Sequence, residues 1–154
     1  MKVFEDYFSE LQTDMVAICL EYVDNKADEI FIYCSYEPKM YVFDFFYKIN
    51  GKVVHNHPLN ETVKGSNSPQ NQVYDVSKER QKAALRIGNQ NLKHIHKKCE
   101  EFKKDMPTEM KLYYNVKQNS LKGKYRYELV YSNDDKLLPD DIFDLWFEEV
   151  KGNN

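Results

Sequence analysis

Histidines and carboxylates are the side chains of this chain most able to do chemistry, and their spacing limits what they can do. His55 and His57 stand two apart at the end of a predicted strand. In an extended chain that spacing turns both rings to one side, as paired metal ligands require. No third ligand stands at a telling distance and Pro58 turns the chain away, so a solvated strand end is the better reading. His94 and His96 fall inside a predicted helix, where they diverge by about 200°. They flank an apolar stripe and do not chelate one ion. The pairs Asp134-Asp135 and Asp140-Asp141 are adjacent in sequence. Carboxylates that work as acid and base come from facing elements with different environments, so these read as solvated loop and cap residues.

Cys19, Cys34 and Cys99 are odd in number, far apart and set among apolar neighbours. They suit buried thiols better than a disulfide framework or a zinc site. The chain holds no Walker loop, no G-x-G-x-x-G, no G-x-S-x-G and no H-E-x-x-H. The expectation is no catalytic residue, no cofactor, no metal and no enzyme.

The elements that position these groups follow from composition and period. A chain of 154 residues fits a single domain. With 42% hydrophobic and 14% aromatic residues it has material for a core, and its net charge of -3 argues against a dedicated DNA-binding module. No apolar run reaches the roughly 20 residues of a membrane helix, and the first residues lack a signal core. The expected setting is cytoplasmic, with no membrane partner.

Phe4, Tyr7, Phe8 and Leu11 mark a short amphipathic helix. Val16, Ile18, Leu20 and Tyr22 then alternate as a first strand, and Ile30, Ile32, Cys34 and Tyr36 as its antiparallel partner. A third strand through Tyr41, Phe43, Phe45, Tyr47 and Ile49 ends at Asn50-Gly51, a hairpin signal because both residues accept positive φ. The chain returns over Lys52 to His55, and residues 58–76 form a polar loop. The spacing of Ala84, Ile87, Gly88, Leu92, Ile95, Cys99 and Phe102 predicts a long helix from about Ser77 to Asp105, with Ile87, Leu92, Ile95 and Phe102 buried. Strands are expected over Met110–Val116 and Tyr125–Tyr131. A last helix opens at Pro139-Asp140-Asp141 and buries Ile142, Phe143, Trp146 and Val150. The predicted class is α+β, an antiparallel sheet of about six strands in the order α-β-β-β-β-α-β-β-α.

Charge is unevenly distributed. The long helix carries nine basic residues against four acidic, an excess of five, so the rest of the chain holds an excess of eight acids. A basic helix can track phosphates. Its lysines lie opposite the apolar stripe, as on any solvated helix, so nucleic acid is not favoured. Alternating tyrosines over 125–131 read as sheet packing before a base-stacking platform.

Several segments carry a resemblance. They are Ile30-Phe31-Ile32-Tyr33, Tyr41 to Lys48, Pro107 to Leu112, Lys124-Tyr125-Arg126-Tyr127-Glu128, and the terminal run Asp141 to Glu149 with Trp146. Together they resemble the YezG-like immunity proteins, over nearly the whole chain from about Met15 to Val150. That resemblance implies a protein that binds and neutralises a cognate secreted toxin, often a nuclease, inside the producing bacterium. No catalytic motif defines the group. The short first helix and the polar stretch Asn60 to Gln72 depart from its pattern and bear on toxin identity.

A nuclease presents a basic cleft, so the acidic end is the expected contact surface. Its candidates are Tyr131, Asp134, Asp135, Asp140, Asp141, Asp144, Phe147 and Glu148, with Tyr131 and Phe147 as exposed aromatic anchors. The loop 60–72 is the next candidate. The alternative is a small nucleic-acid-binding regulator using the basic helix 77–105. The sequence leaves the oligomeric state open.

Overall fold

The structure is a computed structural model that describes residues 2–37, 40–56, 78–132, 134 and 136–152. Eight elements follow one another. They are α1 (Phe4–Tyr22), β1 (Glu29–Glu37), β2 (Met40–Ile49), β3 (Lys52–His55), α2 (Lys78–Glu101), β4 (Glu109–Asn115), β5 (Ser120–Arg126) and α3 (Pro139–Gly152). The strands form one antiparallel sheet in the order β3-β2-β1-β4-β5. The class is α+β as expected, with five strands in place of six.

The missing strand is the second half of α1. Met15, Val16, Cys19 and Tyr22 are buried on one side of a continuous helix. Val16, Ile18, Leu20 and Tyr22 alternate as a strand would, but the buried members of the run fall at helical spacing and Ile18 and Leu20 are only half-buried, the known ambiguity of a short apolar run. Asp6 holds the helix start by accepting the Val3 N–H at 3.0 Å, the reciprocal half of a capping box. Asp24 and Asn25 adopt positive φ after its end, and the Asn25 N–H reaches back to the Leu20 carbonyl at 2.8 Å.

β1 lies at the centre of the sheet, and nearly all of it is buried. That explains its near-continuous apolar run, since both faces are covered. Ile30, Ile32 and Cys34 join Phe43, Phe45, Tyr47, Ile49 and Leu112 under α1 and α2. Phe31 and Tyr33 point the other way, with Phe46 and Val53, into a second core under α3. Between β2 and β3 the turn is Asn50-Gly51, both at positive φ (53° and 78°). The hairpin expected from sequence is there.

Two boundaries move. β5 was expected over Tyr125–Tyr131, but it runs from Ser120 to Arg126. Asn119, at φ 49°, makes a tight turn, so Tyr114 already pairs with Leu121. The alternating tyrosines therefore do not pack a sheet face together: Tyr127 is exposed beyond the strand end and Tyr131 is buried in the following loop. On α2 the buried line is Ala84, Gly88, Asn91, Leu92, Ile95 and Cys99. Ile87 sits half-buried beside it. Phe102, expected in the core, lies past the last helical residue and is 36% exposed, resting on Phe4 and Tyr7. Ser77 and the polar loop lie outside the described residues.

Candidate functional site

α3 packs through Phe143, Trp146 and Phe147, which lock onto Phe46, with Trp146 also edge-on to Phe31 at 5.9 Å between ring centres. With that face committed, the opposite face is fixed in solvent. It carries Leu138, Asp141, Asp144, Leu145, Glu148 and Glu149, all exposed. Leu138 and Leu145 are 62% and 63% exposed, the two most open large apolar residues among those described. Leu145 stands on α3 itself and Leu138 immediately before its first residue. The acids stand around them. Asp141 also has a local task, accepting the Leu138 N–H at 2.9 Å as the start of α3 is capped.

The approach to α3 is held by Glu37 at the end of β1. Its carboxylate accepts the backbone N–H groups of Val130 (2.9 Å), Tyr131 (3.2 Å) and Ser132 (3.0 Å), and the Ser132 hydroxyl at 2.7 Å. Tyr131 is thereby drawn inward and is buried, with its hydroxyl accepting from Ser35 at 3.4 Å. Phe147 is buried too, stacked on His55 at 3.6 Å. Neither is the exposed anchor the sequence suggested. Asp134 is exposed and accepts the Lys136 N–H at 2.8 Å. Asp140, Asp144 and Glu148 are exposed and fall four apart on one edge of α3, while Asp135 lies outside the described residues. The sequence thus located the acidic segment but missed its apolar members. Leu138 and Leu145 were findable, since they stand off the Phe143-Trp146-Val150 stripe.

Behind the start of α3 lies a cleft of about 320 Å³, lined by Asp44, His55, Asn56, Gln81, Asp140, Phe143 and Asp144. Burial raises the Asp44 carboxyl to about 6, against the N–H of Phe45 and the amide of Asn56 that favour its charge; Asp140 and Asp144 add to the rise. Burial also lowers His55, while Asp144 and Glu148 pull the other way. His55 is not a solvated strand end: it is half-buried under α3 because Phe147 covers it. Its companion His57 lies outside the described residues. Among the described residues, no three His, Cys, Asp or Glu side chains are placed to hold a metal ion.

His96 is a structural fastening. The Tyr41 hydroxyl meets His96 Nδ1 at 2.6 Å, and His96 Nε2 lies 3.3 Å from Glu100. Tyr36 packs over the imidazole at 4.4 Å, so this carboxylate–imidazole–phenol chain seats α2 against the start of the sheet. His94 is exposed. All three cysteines are buried, and burial pushes their thiols up, which leaves little thiolate at neutral pH. No helix among the described residues is long and apolar enough to cross a membrane. Compared with known proteins, the chain matches no family model and no curated protein sequence.

Proposed function

We propose that this chain is an immunity protein that binds and neutralises a cognate bacterial toxin, a nuclease being the activity its charge suits best. The observation that carries the reading is the outward face of α3, where Leu138 and Leu145 stand exposed among Asp141, Asp144, Glu148 and Glu149. Apolar anchors ringed by charge are the usual make-up of a protein interface centre, and the sign is complementary to a phosphate-binding cleft. The resemblance to the YezG-like immunity proteins, which includes the α3 segment Asp141 to Glu149, agrees with it.

The test starts from the neighbouring gene, which this reading expects to encode a toxin with a C-terminal effector domain, and proceeds by co-expression with that domain. The chain is expected to co-purify with that domain and abolish its toxicity. Asp144→Lys with Glu148→Lys slows association and steepens toxicity, while Leu145→Ala raises the dissociation rate by about tenfold. Full protection by both variants sinks the α3 interface. Failure of the unaltered chain to protect sinks the immunity reading itself.

A second reading rests on α2, whose outer line Lys82, Arg86, Lys93 and Lys97 is exposed and basic. It makes the chain a small nucleic-acid-binding regulator. Binding to DNA or RNA that weakens steeply between 50 and 200 mM salt, in the manner of about four phosphate contacts, favours it over the first.

A further inference from the structure

A single helix is about 10 Å across and covers roughly two strands at 4.8 Å spacing. α3 lies over β2 and β3, so among the described residues no helix lies over the β4–β5 half of the same face. Register places Lys111 opposite Lys124, Tyr113 opposite Lys122 and Glu109 opposite Arg126 on that bare half. Lys122, Lys124 and Arg126 are exposed. Arg126 pairs with Glu128 at 2.8 Å, and Lys111 reaches over the Trp146 ring at 5.6 Å. Between this row and α3 runs a cleft of about 340 Å³, floored by Phe31, Tyr113 and Trp146 and walled by Glu149 and Val150. Among the described residues β5 also ends the sheet, with β4 its only strand neighbour.

We propose that β5 accepts an added strand from an acidic segment of a partner protein. Two independent features meet at this edge. Among the described residues the outer side of β5 carries no strand, and its row of backbone N–H and C=O groups is a template for an added one. Its cations recur at every second residue, about 7 Å apart, the repeat at which an extended chain presents alternate side chains. An incoming strand with Asp or Glu at alternate positions sets its carboxylates beside Lys122, Lys124 and Arg126, over the cleft that Trp146 and Tyr113 floor.

Charge selects among occupants. A second copy pairing β5 with β5 brings Lys122 and Lys124 against their own kind, which like-charge cross-strand pairing opposes. A nucleic acid meets the cations but leaves the backbone edge of β5 unused. The acidic strand satisfies both edge and charge. This surface shares Glu149 with the outward face of α3 but is otherwise basic where that face is acidic, and the proposal stands whether or not the immunity reading holds.

The test uses the full chain and three fluorescent probes: a peptide of alternating Glu and Thr about the length of β5, its twin with alternate backbone nitrogens methylated, and an oligothymidylate of equal charge. Anisotropy is expected to show binding of the first peptide at low salt. Hydrogen exchange is expected to slow at the amides of β5 when it binds. The methylated twin, which keeps the charge but loses the strand hydrogen bonds, is expected to bind at least about tenfold more weakly. So is the unmodified peptide to the Lys122→Glu, Lys124→Glu variant. No binding of the peptide at millimolar concentration overturns the proposal. So does a twin that binds within tenfold of it, oligothymidylate binding more tightly than the peptide, or a chain that dimerises through β5 by itself. The twin is read on the unaltered protein, so misfolding of the charge variant leaves the result decisive.

Discussion

Glu37 and Ser132 are joined by two hydrogen bonds to one carboxylate oxygen, from the Ser132 N–H at 3.0 Å and from its hydroxyl at 2.7 Å. With the N–H groups of Val130 and Tyr131 on the same side chain, an acid at the end of the central strand fixes the loop that delivers α3. Glu37 is 3% exposed. Its satisfied acceptors are what make that burial tolerable.

The Glu37 arrangement sets a pH dependence. Burial opposes the charge, yet the N–H and hydroxyl of Ser132 with the N–H groups of Val130 and Tyr131 hold the carboxyl below its ordinary range. A carboxyl depressed in the folded state stabilises above its unfolded value, and the contribution is lost as pH falls through the folded one. Glu37→Gln is expected to cost about 2–3 kcal/mol at neutral pH, the scale of hydrogen bonds to a charged group. Urea unfolding checks it: the gap between wild type and variant should shrink below about pH 4. A gap that stays constant to pH 3 means the charge contributes nothing.

Asp44 carries the opposite sign. Its carboxyl is raised by burial to about 6 from 3.8, so the fold favours its neutral form. Stability is therefore lost as pH rises from about 4 to about 6 and stays lower above that. Asp44→Asn keeps an oxygen for the Phe45 N–H and the Asn56 amide while removing the buried charge. It is expected to raise stability at pH 7 by up to ~3 kcal/mol and to leave it unchanged near pH 4. Unfolding midpoints across pH 4 to 8 measure it, and a variant less stable at pH 7 contradicts the direction.

How much of this was legible follows from the same residues. The Asn50-Gly51 hairpin, the start of α3 at Pro139 and the core roles of Leu92, Ile95 and Trp146 could be read because local chemistry and tertiary demand agree there. The run Met15 to Leu20 could not, because Val16, Ile18 and Leu20 alternate while its buried members keep helical spacing, and only packing against α2 decides. Tyr131 and Phe147 were misplaced as anchors for a different reason. Their burial depends on Glu37 and on His55, both contributed from far along the chain, and no pattern near either aromatic records that. The acidic charge of α3 is local and is legible in the sequence, whereas the exposed apolar residues beside it are Leu138 and Leu145 and not the two aromatics.

Ile95 and Phe102 were predicted alike and lie differently, which makes them a matched test. Ile95 is fully buried, and truncation to Ala is expected to cost about 2–5 kcal/mol. Phe102, more than a third exposed, keeps only its ring contacts with Phe4 and Tyr7, so Phe102→Ala should cost roughly 1 kcal/mol. Thermal or urea unfolding of the two variants gives the ranking. Equal losses refute the burial assigned to them.

Gly88 marks where α2 meets the sheet most closely. It lies in the middle of the buried line of the helix, and a Cβ there falls 2.2 Å from two carbons of the Phe43 ring and 2.5 Å from a third. Phe43 is held between Phe45, 5.9 Å away, and the core beneath α2, so the ring has little room to yield. In an open helix Gly→Ala gains about 1 kcal/mol from propensity. Forcing a methyl group into a filled core costs about 1–3 kcal/mol, and a direct clash lies at the upper end. Gly88→Ala is therefore expected to destabilise by about 1–2 kcal/mol net. Its distinguishing signature is recovery in the double variant Gly88→Ala, Phe43→Leu, since removing ring atoms relieves the clash while Phe43→Leu alone is destabilising. Non-additivity of that sign, measured as a double-mutant cycle, reports the contact directly. A stabilising Gly88→Ala means that α2 stands further from β2 than the geometry here places it.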